Sequence, residues 1–378
     1  MLFWCCTGLV AYAYAGYPLL TAALARIRGT QPRVEPADGP EHPPITVVVA
    51  AHDEGRTIAT RVRNLLAQDY PADRLRVLVV SDGSRDNTVA AANVGDPRAS
   101  VLALPRNVGK AAALNAALAC IDTPLVAFAD ARQVFADDAL RHLVAPFADP
   151  AIGLVSGELV IQTRDGTADA DGVGLYWRME KRLRCDEARL GWLHGATGAI
   201  HAMRRELFEP IPPGTVLDDM WMPLQVLLAG RRVWMARQAI ATDRASADSG
   251  EEFRRKLRTL AGNWQLLARL PVLLDPWRNP VFFAWFSHKF LRLMVPWALL
   301  AALLASAVAA TGSPLYRLLL IAQLLAYAGA GIGLLLPRLA ARVPLLSTAG
   351  SFAMLNLAAL LSLPASLARN PARLWRKH

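Results

Sequence analysis

Four short apolar runs punctuate the first part of the chain: ITVVVAA at 45–51, RVLVVSD at 76–82, ASVLAL at 99–104 and LVAFAD at 125–130. Runs of this length, apolar at successive positions and closed by polar residues, predict strands buried on both faces. Between them, Ile58, Val62, Leu65 and Leu66 keep helical spacing, and so do Ala113, Leu114, Ala117 and Leu118. Strand and helix in alternation predict an α/β domain in which helices cover a parallel sheet. Such a scaffold suits nucleotide binding, although a fold by itself assigns no function.

Both ends of the chain follow a different pattern. Leu2 to Leu24 carries no charge, includes Trp4, Tyr12, Tyr14 and Tyr17, and is long enough to span a bilayer. Arg26, Arg28 and Arg33 follow, and the positive-inside rule then places the next segment in the cytoplasm and the N-terminus outside. Residues 29–44, rich in Pro, Gly and acids, read as a linker. After Pro280, Phe282, Phe283, Trp285, Phe286 and Trp297 mix with His288, Lys289 and Arg292, as expected of a helix lying at the membrane interface. Three spans are expected next, near 293–311, 318–336 and 344–366.

The layout is therefore an N-terminal transmembrane helix at 1–25, a linker at 26–44, a soluble domain at 45–270, an interfacial region at 271–292, membrane segments at 293–368 and a basic tail at 369–378. Three later crossings put Arg369, Arg373, Arg376 and Lys377 outside, whereas the charge rule prefers them inside. Either one apolar segment is re-entrant or interfacial, or the tail is an exception.

Composition agrees with a membrane portion. With 54% hydrophobic and 19% charged residues, the 378-residue chain is too apolar for a fully soluble protein. Lys and Arg number 41 against 31 Asp and Glu, a net charge of +10. Much of the excess borders the apolar stretches, at Arg26 to Arg33, Arg254 to Arg258 and Arg369 to Lys377, which favours anionic lipid and phosphorylated substrate over nucleic acid. Cys5, Cys6, Cys120 and Cys185 have neither zinc-site spacing nor the density of a disulfide framework, and read as reduced thiols. No charged segment precedes Cys5 and Cys6, so the first apolar stretch is expected to be retained.

In open parallel sheets, ligands bind beyond the carboxyl ends of the strands. Asp53 follows the first run in AAHDEG, Asp82 closes the second, and Asp130 closes the fourth. One Asp in such a place is most simply a turn or cap residue; three at strand ends point to a ligand. Carboxylates there can accept hydrogen bonds from a base or ribose, or hold a divalent cation that neutralises a diphosphate. Lys110 opens the helix after the third run, where its ammonium would meet phosphate or base, a solvated lysine being the plainer reading. The HDEGRT turn has one glycine and two acids, which disfavours a dinucleotide oxidoreductase, and no stretch fits a Walker-type loop. His194 and His201 flank a GATG segment and are expected to be structural rather than metal ligands.

In order and spacing, PITVVVAAHDEG, LVVSDGSRDNT, NVGKAAALNAAL and AFADAR resemble the nucleotide-binding half of the family 2 inverting glycosyltransferases, whose catalytic domain has the GT-A fold. GATGAIHAMRREL at 195–207 and LDDMWMPLQVLLAGRRV at 217–233 are similar to that family's acceptor-side motifs. The likeness covers roughly residues 43–265, and the flanking spans resemble the family's membrane-bound polysaccharide and lipid-linked branch. It implies an α/β GT-A (nucleotide-diphospho-sugar transferase) domain with N-terminal and C-terminal transmembrane helices. It also implies that Asp53, Glu54 and Asp82 bind the nucleoside of a nucleotide sugar, a UDP-sugar first, with Lys110 nearby.

Asp130 matches the first acid of the DxD motif, which presents Mg²⁺ or Mn²⁺ to the diphosphate. Ala131 and Arg132 follow, so the second acid is missing and Arg132 would itself lie against phosphate. Asp219, with Asp218 beside it and Gly230 at the family's spacing beyond, matches the catalytic base; without the other motifs the pair would read as a helix cap. Gly195 and Gly198 would let an acceptor approach the backbone closely. Where the processive synthases carry QxxRW, this chain has RRKLRTLAGNWQ: Arg258 matches the Arg, Thr259 replaces the Trp, and Trp264 lies further on. Arg258 and Trp264 would bind diphosphate and sugar, or belong to a cationic amphipathic helix on anionic lipid, and the departure puts processive polymerisation in question.

The activity expected is sugar transfer, with inversion, from a nucleotide sugar to a hydroxyl of a lipid-linked or polysaccharide acceptor. The setting expected is the cell (inner) membrane, multi-pass, with the catalytic domain in the cytoplasm. Two rivals share the motifs: a polyprenyl-phosphate sugar synthase, and a catalytically inactive nucleotide-sugar-binding membrane subunit.

Overall fold

A computed structural model describes residues 1–33, 42–162, 174–244, 249–340 and 342–367. The basic tail and linker residues 34–41 lie outside the described residues. The chain divides into two units, one of Met1–Ala23, Ser246–Asp275 and Phe282–His378, the other of Leu24–Ala245 and Pro276–Val281.

The second unit is built on one sheet. The four apolar runs form strands β1 (Ile45–Ala51), β2 (Leu75–Asp82), β3 (Ala99–Leu104) and β4 (Leu125–Asp130). They lie parallel in the order β3-β2-β1-β4, so their carboxyl ends, and the acids stationed there, share one edge of the sheet. Val47, Val49, Val77, Val79 and Ala127 are wholly buried, as fits strands covered on both faces. Ile58, Val62 and Leu65 of the helix at Ile58–Leu66 join the same core as one apolar stripe.

Beyond Asp130 the sheet changes character. Strands β5 (Val134–Phe135), β6 (Ile152–Gln162), β7 (Ile200–Arg204) and β8 (Arg232–Arg244) extend it in the order β7-β6-β8-β5. β7 runs antiparallel to both β4 and β6, β6 is parallel to β8, and β5 is antiparallel to β8. The parallel sheet expected from the sequence thus describes only β1 to β4, and the whole is mixed. In β8 the short apolar stretches 233–236 and 239–241 are interrupted by exposed Arg237 and Gln238, so no apolar run marks the whole strand.

In chain order, the helices that matter below are α1 (Leu2–Arg28), α2 (Ile58–Leu66), α3 (Lys110–Ala119), α4 (Gly174–Arg189), α5 (Asp218–Leu228), α6 (Ser249–Arg269), α7 (Phe282–Ala309), α8 (Pro314–Leu335) and α9 (Pro344–Leu367). Among the described residues, α1, α7, α8 and α9 are the helices long and apolar enough to cross a membrane. Residues 282–292, expected as part of a separate interfacial region, run without a break into α7, which has 28 residues. Within the apolar unit α6 packs on α9 and α8 packs on α9. A Cβ at Gly333 of α8 would sit 2.1 Å from the Leu346 carbonyl oxygen, so only glycine permits this approach of the two backbones.

Candidate active site

The loops after β1 and β2 knit together through the acids predicted from sequence. Asp53 has φ of 53°, the one positive-φ non-glycine residue among the described residues. Asp tolerates this conformation because its short carboxylate bonds locally: Oδ1 accepts from the Arg85 amide at 2.8 Å, and the Asp53 amide donates to Ser84 Oγ at 3.2 Å. Asp82 is buried, and its two oxygens accept from the Val108 and Gly109 amides at 2.7 and 2.9 Å. Each carboxylate oxygen keeps a second acceptor site for a ligand. His52 links the pair, with Nδ1 2.7 Å from the Asp82 carbonyl oxygen and Nε2 3.5 Å from Asp53 Oδ2. Glu54 sits one step on, where its carbonyl accepts from the Thr57 amide ahead of α2.

The second cluster forms around Lys110, at the first position of α3. Its ammonium lies 3.3 Å from Asp130 Oδ1 at the end of β4 and 3.0 Å from Asp218 Oδ2 at the start of α5. Burial works against its charge, but Asp130, Asp218 and Asp219 together outweigh burial and hold the ammonium well above its ordinary value. Asp219 meets the opposite balance. Burial and the neighbouring Asp218 carboxylate push its carboxyl up to about 7, with Lys110 acting against them. A carboxyl tuned near neutrality, rather than near 4, is suited to taking a proton and not merely to carrying charge.

Beside Asp219 runs the GATG segment. The Ala196 amide donates to the Asp219 carbonyl at 2.8 Å, and a Cβ on Gly198 would lie 3.2 Å from Asp219 Oδ2, so glycine leaves the carboxylate room. Thr197, between them, is bonded through its amide to Ser156 Oγ and through its hydroxyl to the Gly157 carbonyl, at 2.9 and 2.7 Å. His201 on β7 is fully buried, stacks on Phe128 at 4.8 Å and places Nδ1 3.0 Å from the Thr197 carbonyl oxygen. Burial lowers it to about 4, so the ring is neutral at physiological pH and serves as a structural group.

A divalent cation would find an oxygen donor here. The Asp130 side chain is 40% exposed, and among the described residues only its Oδ1 has a partner. One hard carboxylate ligand, with phosphate oxygens and water completing the shell, fits Mg²⁺ or Mn²⁺. The next two residues, buried Ala131 and exposed Arg132, carry no carboxylate.

The structure therefore gathers Lys110, Asp130, Asp218, Asp219 and Gly198 in one place, and Asp53 and Asp82 in adjoining loops; Glu54 lies in the Asp53 loop. Gly195 contributes its carbonyl, which accepts from Arg184 at 3.3 Å. Arg258 and Trp264 lie on α6 in the apolar unit, where Trp264 Nε1 donates to Ser362 Oγ of α9 at 2.9 Å. Sequence reasoning missed Arg61 and Arg184. Arg61 is buried, donates from Nε to the Asp130 carbonyl at 3.1 Å and lies 4.2 Å over the Phe135 ring, which fixes the end of β4 from beneath. Its signal was available: it falls between Ile58 and Leu65 on the apolar stripe of α2, where a cation is out of place. Arg184 had none, because MEKRLRCDEAR reads as a solvated charged helix.

Comparisons with known proteins bear on the family and the fold. The model of the family described as glycosyl transferase family 2 matches residues 46–211. An N-acetylglucosaminyltransferase of Mesorhizobium japonicum is 29% identical over 241 residues, which are 59% of this chain and 57% of that protein. A protein of the same name from Bradyrhizobium elkanii is 33% identical over 130 residues, 33% of this chain and 71% of its own length. A mannosyltransferase from Pyrobaculum calidifontis, solved with GDP-Man and Mn2+, matches with a TM-score of 0.71 at 25% identity over 97% of this chain and 99% of its own. The chain spans little more than half the length of the Mesorhizobium relative and nearly all of the Pyrobaculum one.

Proposed function

The chain belongs to glycosyl transferase family 2, and from that premise we propose that it is a membrane-anchored, inverting, metal-assisted transferase. It moves a sugar from a nucleotide sugar to a hydroxyl of a lipid-linked or polysaccharide acceptor. The observation that carries this reading is Asp219, a carboxyl pushed up to about 7 beside Lys110 and the strand-end acid Asp130. Asp219 takes the proton from the acceptor hydroxyl as that oxygen bonds to the anomeric carbon. The bond from that carbon to the diphosphate oxygen breaks on the opposite face, and the nucleoside diphosphate leaves. Asp130 would hold Mg²⁺ or Mn²⁺, and the chemistry supplied there is neutralisation of the leaving diphosphate. Asp53 and Asp82 hold the nucleoside with their remaining acceptor sites, and Lys110 keeps two carboxylates from repelling the anionic donor.

The four apolar helices support a reaction at a membrane, and Arg26 and Arg28 at the end of α1, with Arg33 beyond it, favour a cytoplasmic catalytic unit. Two donors are favoured. The relatives named N-acetylglucosaminyltransferase favour a donor carrying N-acetylglucosamine, with UDP the nucleotide the motif resemblance implies, and the near full-length match to a mannosyltransferase with GDP-Man favours GDP-mannose. The test is a panel of labelled UDP-, GDP- and TDP-sugars incubated with the full chain in detergent, with and without EDTA. Turnover of one donor that stops with EDTA and returns with Mg²⁺ or Mn²⁺ supports the proposal. Absence of transfer and hydrolysis for every donor contradicts it. Product mass with polyprenyl phosphate as acceptor separates single transfer to a lipid phosphate from transfer to a hydroxyl.

A further inference from the structure

The GATG segment is held far more tightly than a loop that only admits an acceptor requires. Every polar group of Thr197 is engaged: its amide by Ser156 Oγ at 2.9 Å, its hydroxyl by the Gly157 carbonyl at 2.7 Å, and its carbonyl by the Ile200 amide and by His201 Nδ1, both at 3.0 Å. One side chain spans this arrangement from outside. Arg184 of α4 donates from one terminal nitrogen to Thr197 Oγ1 at 3.2 Å, and from the other to Ser156 Oγ at 3.1 Å and the Gly195 carbonyl at 3.3 Å. Its planar fork thus ties β6 and both ends of the Gly195–Thr197 stretch together, a geometry that a lysine's single point of charge does not reproduce.

The placement follows from two periodicities. Lys181 and Arg184, three residues apart, share a face of α4, and Ser156 and Glu158, two apart, share a face of β6. Lys181 reaches Glu158 at 2.6 Å as Arg184 reaches Ser156, so the helix is docked on the strand by two rungs. The held segment in turn sets the base: the Ala196 amide binds the Asp219 carbonyl at 2.8 Å, and Gly198 lies so close that an added Cβ would be 3.2 Å from Asp219 Oδ2.

We propose that Arg184 is a positioning residue for transfer, acting through the Gly195–Gly198 segment to fix the carboxylate of Asp219 against the acceptor. The inference rests on the reading of Asp219 as the base. Loss of the fork removes the tie between Thr197 Oγ1, Ser156 and the Gly195 carbonyl, leaving the Thr197 hydroxyl held by Ser156 and Gly157 alone, lets the Gly195–Gly198 segment recede, and leaves Asp53 and Asp82, which hold the donor, untouched. The effect is on turnover and not on donor affinity.

The test compares Arg184→Met and Arg184→Lys with the full wild-type chain in nanodiscs, by steady-state kinetics with the donor that the wild type turns over, by UDP and GDP titration, and by hydrogen exchange of the peptide covering 195–199. Arg184→Met is expected to lower kcat about ten- to hundredfold with donor KM within about twofold of wild type. Arg184→Lys is expected to recover part of the loss. Exchange at 195–199 is expected to rise in Arg184→Met while peptides from β1 to β4 stay protected. A raised donor KM at unchanged kcat would mean that Arg184 binds the diphosphate directly, and would overturn the proposal, as would unchanged exchange at 195–199. A general loss of protection is decided by Thr197→Val, which keeps Arg184 and removes the bonded hydroxyl. That variant must show the same split in kinetics, and a wild-type kcat for it contradicts the clamp. A wild type inactive with every donor would fail the functional reading instead, and the exchange experiment still decides the clamp.

Discussion

The two halves of the catalytic sheet hold their acids in different ways. On the β1 to β4 side, carboxylates are gripped by backbone amides: Asp53 by Arg85, Asp82 by Val108 and Gly109. Each bond is made to a neighbouring turn and fixes the direction in which the carboxylate's remaining acceptor sites point. On the other side, Asp218 and Asp219 face each other and Lys110, which arrives from α3 more than a hundred positions earlier in the chain. There the charged form of Asp219 is disfavoured, and its carboxyl rises to about 7. On the proposed reading one half binds, with fixed acceptors, and the other exchanges a proton. The same residue type serves both because its surroundings differ.

The largest expected effect separates the halves outright. Asp219→Asn should lower transfer about a thousandfold while UDP or GDP affinity, measured by titration, stays within a few-fold of wild type. Equal loss of both would merge the two halves into one function. Next comes Lys110→Met, which leaves three carboxylates without their shared cation. It should lower kcat about a hundredfold and, because Lys110 holds the Asp219 value down, move the acid limb of the kcat profile above pH 7. Asp82→Asn belongs to the binding half. Asn replaces one carboxylate oxygen with an NH₂ that cannot accept, so one of the Val108 and Gly109 amides loses its partner, and donor KM should rise about tenfold with kcat little changed. The smallest effect is that of Gly198→Ala, whose methyl lies at 3.2 Å from Asp219 Oδ2. A displacement of a few tenths of an ångström should lower kcat about threefold at constant donor KM.

The same contrast explains what could be read from the sequence. All four parallel strands were legible because a strand buried on both faces is an uninterrupted apolar run, and three of them match their runs residue for residue. Their acids were legible because the chemistry lies at the strand ends. β7 and β8 were not, since β7 has only five positions, with His201 among them, and exposed Arg237 and Gln238 interrupt the apolar residues of β8. The Asp218–Asp219 pair was visible only by resemblance; the adjacent Asp218 carboxylate is a local cause of the raised carboxyl, whereas burial, the larger cause, and the opposing Lys110 come from the fold. Arg61 left a trace as a cation on an apolar helical stripe. Arg184 left none, because its partners Ser156, Gly195 and Thr197 come together only when β6, α4 and the GATG segment fold onto one another.

The most direct test of Asp219 as a base tuned by its surroundings is the pH dependence of kcat at saturating donor and acceptor. The base works only when deprotonated, so with its carboxyl at about 7 the rate should be half-maximal near pH 7 and fall about tenfold per pH unit below it. A kcat that stays level down to pH 5 would contradict the assignment, since it would require the accepting carboxylate to titrate as an ordinary exposed Asp.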